Sequence, residues 1–78
     1  PALAWHEVVQ LLLRYGELEV KGDKGLYFPN RIKQWFSYLR QHYPEAQPLF
    51  VELRRCTEAA PIMALLAAAA TATRQRGR

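Results

Sequence analysis

Cysteine is nearly absent from this 78-residue chain, which has Cys56 alone. One thiol excludes an internal disulfide framework and any all-cysteine metal site, and it fits a reducing compartment. The two histidines, His6 and His42, stand far apart and lack the paired spacing that tetrahedral zinc requires. No apolar run approaches the ~20 residues needed to cross a bilayer, since the densest, 62–70, is short and mostly alanine. The opening Pro1-Ala2-Leu3-Ala4-Trp5 has no basic region leading into an apolar segment, so it does not read as a signal peptide. Lacking an initiator methionine, it reads as a domain cut from something longer. Acidic residues are also scarce: seven against eleven Lys and Arg, a formal net charge of +4. That balance favours a polyanion or an acidic surface as partner. Half of the residues are hydrophobic, enough for one small core and too little for a second folding unit or a large ligand cavity. A self-contained multi-step enzyme is therefore not expected.

The apolar residues that are present fall at helical spacing. Trp5, Val8, Val9, Leu11, Leu12, Tyr15 and Leu18 predict a first helix from 5 to about 19, with His6, Gln10, Arg14 and Glu17 on its other side. Two readings of its end stay open. Leu18-Glu19-Val20 and Leu26-Tyr27-Phe28 could form a β-hairpin, or wing, around Gly22-Asp23-Lys24-Gly25. Alternatively the helix runs to about 21, and Gly22 closes it in the left-handed conformation. A second helix starts with Asn30 as cap or Pro29 in its first turn. Ile32, Trp35, Phe36, Leu39 and Tyr43 form its inward stripe, and Tyr43-Pro44 ends it. A turn through Gln47 and Pro48 leads to a third helix from about 46 or 48 to 56, with Leu49, Phe50 and Leu53 inward. A fourth begins near Thr57 with Pro61 in its first turn and Ile62, Leu65, Leu66 and Ala69 on one side. Residues 1–4 and 73–78 are expected to be flexible ends, the latter a frayed basic tail. The expectation is one all-α domain over 1–78, a small antiparallel bundle of about four helices with most aromatic side chains in its core.

Little in this pattern carries catalysis. Cys56 ends an apolar stripe with no histidine near it in sequence, and reads as structural. The Gly22 to Gly25 loop lacks the spacing of a phosphate-wrapping P-loop and reads as a turn. The positive charges are more informative. Lys33 and Arg40 fall on one flank of the second helix and Arg31 and Tyr38 on the other, and no acidic residue occurs between Lys24 and Tyr43. With Lys21, Lys24, Arg54 and Arg55 they form either a basic patch with aromatic neighbours, able to follow a phosphate backbone, or an ordinary solvated face.

At Trp5-His6-Glu7-Val8-Val9, Gly22 to Tyr27, Arg31-Ile32-Lys33-Gln34-Trp35 and Ser37-Tyr38-Leu39-Arg40, the chain resembles the C-terminal domain of bacterial tRNA-dihydrouridine synthases of the C subfamily. That subfamily reduces uridine sixteen in the tRNA D-loop. The resemblance runs in register from about 3 to 66. It implies a division of labour in which an N-terminal TIM barrel holds FMN and the catalytic cysteine, with NADPH as reductant, while the helical domain grips tRNA. It also implies that the first helix continues to the Gly22 loop with no wing. The isolated domain would then hold no cofactor or metal, meet no membrane, and act as a cytoplasmic monomer with no activity of its own. Its partners would be tRNA and the parent barrel. The tRNA contacts that the resemblance implies are Arg31, Lys33 and Arg54. Lys24, Tyr27 and Arg40 join them on grounds of geometry. Phe28-Pro29-Asn30 and the alanine-rich end depart from the family pattern.

Two other classes fit the same residues. One is a helix-turn-helix or winged-helix module that places the second helix in a DNA major groove, and the wing depends on the hairpin reading. The other is a protein-interaction bundle whose arginines are solubilising only.

Overall fold

A computed structural model describes residues 3–23 and 25–76. Four helices follow in order: α1 (Trp5–Asp23), α2 (Phe28–Leu39), α3 (Ala46–Leu53) and α4 (Ala59–Arg76). The described residues contain no strand, so the fold is all-α, as the spacing predicts.

Helix α1 opens with a local cap. The Ala4 carbonyl accepts the first helical bonds from the Glu7 and Val8 amides, and the Glu7 carboxylate reaches back to the Ala4 amide at 3.0 Å. This is half of a capping box, with the acidic side chain at the positive helix end. Trp5, Val8, Val9 and Leu12 are buried, a stripe at i, i+3, i+4 and i+7. The helix runs through Glu19, Val20 and Gly22, so the wing does not exist. Gly22 is helical, and the left-handed residue is Gly25, with φ of 76°. A Cβ on Gly25 would sit 2.8 Å from that of Ala59, so the turn needs glycine both for its backbone and to lie against the start of α4.

Helix α2 begins at Phe28, two residues before the expected Asn30 cap. The Arg31 amide bonds the Tyr27 carbonyl, and Pro29 occupies the first turn, where its missing N–H costs nothing. The helix ends at Leu39, short of Tyr43-Pro44. The Arg40 amide still bonds Phe36, then the His42 and Tyr43 amides close a turn on the Leu39 carbonyl. Tyr43 is thereby released from the stripe. Its hydroxyl donates to the Leu3 carbonyl at 2.6 Å, and its ring lies 5.5 Å from that of Trp5. The predicted turn at Gln47 and Pro48 is instead the first turn of α3, and α3 stops at Leu53 rather than Cys56. Helix α4 runs to Arg76, into the segment expected as a frayed tail.

The core gathers one stripe from each helix. Phe28, Ile32 and Phe36 from α2, Leu53 from α3, Ile62 and Leu66 from α4, and Val9 from α1 are fully buried. Each such side chain stabilises the fold by roughly 1.5–3 kcal/mol relative to exposure. Gly16 lies where α1 passes its neighbours: a Cβ there would run into the Met63 side chain and stand 3.0 Å from Phe28 Cζ. Trp35, expected inside, is 51% exposed, and Tyr27 and Tyr38 are also exposed. The aromatic core is thus Trp5, Phe28 and Phe36, with Tyr15, Tyr43 and Phe50 packed against it.

Candidate nucleic-acid interface

Helix α2 packs through Phe28, Ile32, Phe36 and Leu39. At 100° per residue this fixes two flanks. Lys33 and Arg40, seven residues apart, share the flank beside α3. The Arg40 guanidinium lies 5.0 Å from the Phe50 ring centroid, and Phe50 itself stacks on Phe36 at 6.3 Å. Arg54 stands one turn beyond Phe50, where its amide closes α3 on the Phe50 carbonyl. Helical spacing thus puts Lys33 and Arg40 on one flank of α2, and Arg54 follows the end of α3. None of the three is in an ion pair among the described residues, and Arg40 and Arg54 are exposed. Their charge is available to an outside anion.

The other flank has a different chemistry. Tyr27, Arg31, Trp35 and Tyr38 follow one another at steps of four, four and three, a continuous stripe beside α1. Arg31 is not free: its Nη1 donates to Glu19 Oε1, an ion pair between an exposed guanidinium and a half-buried carboxylate. The guanidinium also lies 5.7 Å from the Tyr27 ring centroid. The bond to Glu19, with a smaller contribution from Tyr15, pushes the Arg31 pKa above its ordinary value, so Arg31 stays charged. Position 31 lies in an acid-free stretch of sequence, and the fold brings it a carboxylate from twelve residues upstream.

The six residues singled out from sequence thus do not form one patch. Arg40 meets Phe50 of α3 on the flank it shares with Lys33, Arg54 follows the end of α3, Arg31 and Tyr27 share the α1 side, and Lys24 lies outside the described residues. Trp35 and Tyr38 are exposed partners that the periodicity placed in the core and on a bare flank respectively. The spacing of Tyr27, Arg31, Trp35 and Tyr38 carries the signal that would have found them.

Other chemistries find little support. No group of three or more His, Cys, Asp or Glu side chains able to hold a metal ion occurs among the described residues. Cys56 is half-buried, with its Sγ 3.6 Å from the Glu52 carbonyl one turn back, a structural placement. No helix among the described residues is long and apolar enough to cross a membrane.

No model of a known protein family matches the chain. Individual proteins do. It is 64% identical over 62 residues to a tRNA-dihydrouridine(16) synthase of Vibrio cholerae, which covers 80% of this chain and 19% of that protein. A tRNA-dihydrouridine(16) synthase of Escherichia coli is 56% identical over 54 residues, 69% of this chain and 17% of its own length. One from Salmonella typhimurium is 48% identical over 62 residues, 80% of this chain and 20% of its own. The chain thus spans about one fifth of the length of the curated relatives it matches. It is homologous to that portion of the tRNA-dihydrouridine(16) synthases, in agreement with the resemblance carried by its Arg31 to Arg40 motif.

Proposed function

We propose that this chain is the tRNA-gripping, C-terminal part of a tRNA-dihydrouridine(16) synthase, and that it orients tRNA for chemistry performed elsewhere in the parent protein. What supports this reading is that Lys33, Arg40 and Arg54, carried by α2 and the end of α3, are in no ion pair among the described residues. Such cations neutralise phosphates and fix the register of a bound nucleic acid. The deep, narrow major groove of an A-form helix resists side-chain readout, so recognition here is of the folded shape of tRNA. Orientation then selects the nucleotide: reaching a base requires flipping it out of its stack, and the angle at which tRNA is held decides which uridine is presented.

A groove of about 800 Å³ between α1, α3 and α4 has Glu45 and Glu52 in its wall, which disfavour a flavin phosphate. FMN, NADPH and the proton-donating cysteine are assigned to the remaining four fifths of the parent, and Cys56 to none of these roles. The domain acts as a monomer in the cytoplasm, with tRNA and the parent barrel as its partners.

The test is a comparison of tRNA with duplex DNA of equal length over a salt series. Preference for tRNA, weakened by Arg54→Glu with the helical circular-dichroism spectrum intact, supports the reading. Equal binding of DNA and tRNA, or indifference to the charge reversal, overturns it.

A further inference from the structure

The exposure of Trp35 has no structural reason, since the core closes without it. Trp35 is 51% and Tyr38 57% exposed. With Tyr15 and Leu11 of α1 they wall a groove of about 440 Å³ between α1 and α2. That volume is in the range of clefts that take small planar ligands. No carboxylate lines this groove, whereas the larger groove between α1, α3 and α4 carries two. Beyond Trp35 and Tyr15 the cleft meets a second depression, which Arg31 and Gln34 line. His42 lies at the other side of Tyr38, with ring centroids 4.6 Å apart. The arrangement is a mixed aromatic and aliphatic groove with no carboxylate in its lining, next to a depression lined by Arg31, which Glu19 pairs.

We propose that this groove takes an unpaired nucleobase of the bound RNA, stacked on Trp35 and Tyr38, with Arg31 meeting the adjoining phosphate. Three observations select a nucleobase over an apolar peptide. Its exposed rings, Trp35 and Tyr38, offer faces for stacking beside the aliphatic Leu3, Leu11 and Leu12. A cation stands where a backbone phosphate would follow the base. The chain carries a formal net charge of +4. Single-stranded nucleotides bind by this combination of stacking surface and cation, and because every base has a π-face such a slot tolerates sequence. Glu19 then has a part: in the free chain it holds Arg31 beside the groove, and a phosphate replaces it on binding. The inference rests on the proposed RNA-binding function and adds the element recognised, a loop nucleotide and not a paired one.

The experiment uses tryptophan emission of the chain titrated with an unstructured oligonucleotide, with a duplex RNA of equal charge, and with tRNA. Trp5 is buried, so Trp35 reports on the groove. The single strand and tRNA are expected to quench the emission and the duplex to leave it unchanged. Trp35→Ala should weaken single-strand binding about tenfold, Trp35→Phe should retain most of it, and Tyr38→Ala should fall between them. The salt dependence of Trp35→Ala should match the parent chain, because no charge is removed; a variant that merely unfolds would lose its duplex binding and its helical spectrum as well. RNA bound without quenching, and indifferent to Trp35→Ala, overturns the base slot while the proposed function stands. Absence of RNA binding at low salt overturns both. A dimer in sedimentation that Trp35→Ala dissolves assigns the groove to a second copy and overturns the slot.

Discussion

Removing Arg54 should flatten the salt dependence of RNA binding by one phosphate contact, and the amount follows from the side chain's surroundings. Arg54 is exposed and outside any ion pair among the described residues, so its whole charge is available to a phosphate. Each neutralised phosphate contributes about −0.7 to −0.9 to the slope of log affinity against log salt. Between 50 and 200 mM salt, one contact therefore accounts for a factor of about 3. With Lys33, Arg40 and Arg54 all engaged, the chain's affinity for tRNA should fall on the order of 30-fold over that range, and that of Arg54→Ala about 10-fold. Arg31 gives the internal comparison. Arg31 must give up Glu19 to meet a phosphate, so Arg31→Ala should lower tRNA affinity less than Arg54→Ala, and Glu19→Gln should raise it. The assay is anisotropy of end-labelled tRNA at fixed pH across the salt series. An unchanged slope in Arg54→Ala, or an Arg31→Ala effect as large as that of Arg54→Ala, would refute the assignment of the free cations to the α3 side.

Phe36→Ala should cost about 3–5 kcal/mol, because the ring is fully buried between Trp5 and Phe50; at roughly 0.05–0.15 kcal/mol per residue the whole chain has only about 4–12 to lose, so the urea midpoint should collapse. Gly25→Ala should destabilise by about 1–2 kcal/mol for the left-handed backbone alone, before the close approach to Ala59 is added. Gly22→Ala, inside α1 with open space around it, should instead stabilise by about 0.5–1 kcal/mol, and equal shifts for the two alanines in urea melts would contradict the turn described here. Tyr43→Phe keeps the ring against Trp5 but deletes the bond to the Leu3 carbonyl, so unfolding should ease by about 0.5–1.5 kcal/mol with the m-value unchanged.

What sequence periodicity reveals is the direction in which a helix faces its neighbours, and it did so for Ile32, Phe36, Leu53, Ile62 and Leu66. It is blind to two things. The first is how wide the buried sector is. Trp35 sits at the edge of the buried stripe, and hydrophobic weighting places it inside, but in the fold it lines an open groove between α1 and α2. The second is charge pairing at long range. Arg31 appears free in a window with no carboxylate, and only the return of α2 alongside α1 brings Glu19 to it. Helix ends were misplaced for a related reason. Tyr43 is drawn out of the α2 register by its bond to Leu3, forty residues away, which no local rule contains. Gly22 was expected to close α1 in the left-handed conformation, but the helix runs through it and the left-handed residue is Gly25, against Ala59 of α4.

The division of α2 into two flanks has a consequence for what it could hold. An α-helix with its side chains is about 10 Å across, so the cations at Lys33 and Arg40 and the aromatic stripe at Trp35 and Tyr38 face opposite sides of one rod. A straight duplex lying along the α3 side would satisfy the first set and leave the second in water. A flexible single strand could fill the groove beside α1 but would pay the full entropy of ordering its backbone to reach Arg54 as well. Only a nucleic acid that is already folded, with paired backbone and an unstacked loop base held a helix width apart, can meet both flanks without that cost. The geometry of α2 thus favours a folded RNA such as tRNA over either of its parts, and it does so through preorganisation of the ligand rather than through the number of positive charges on the protein.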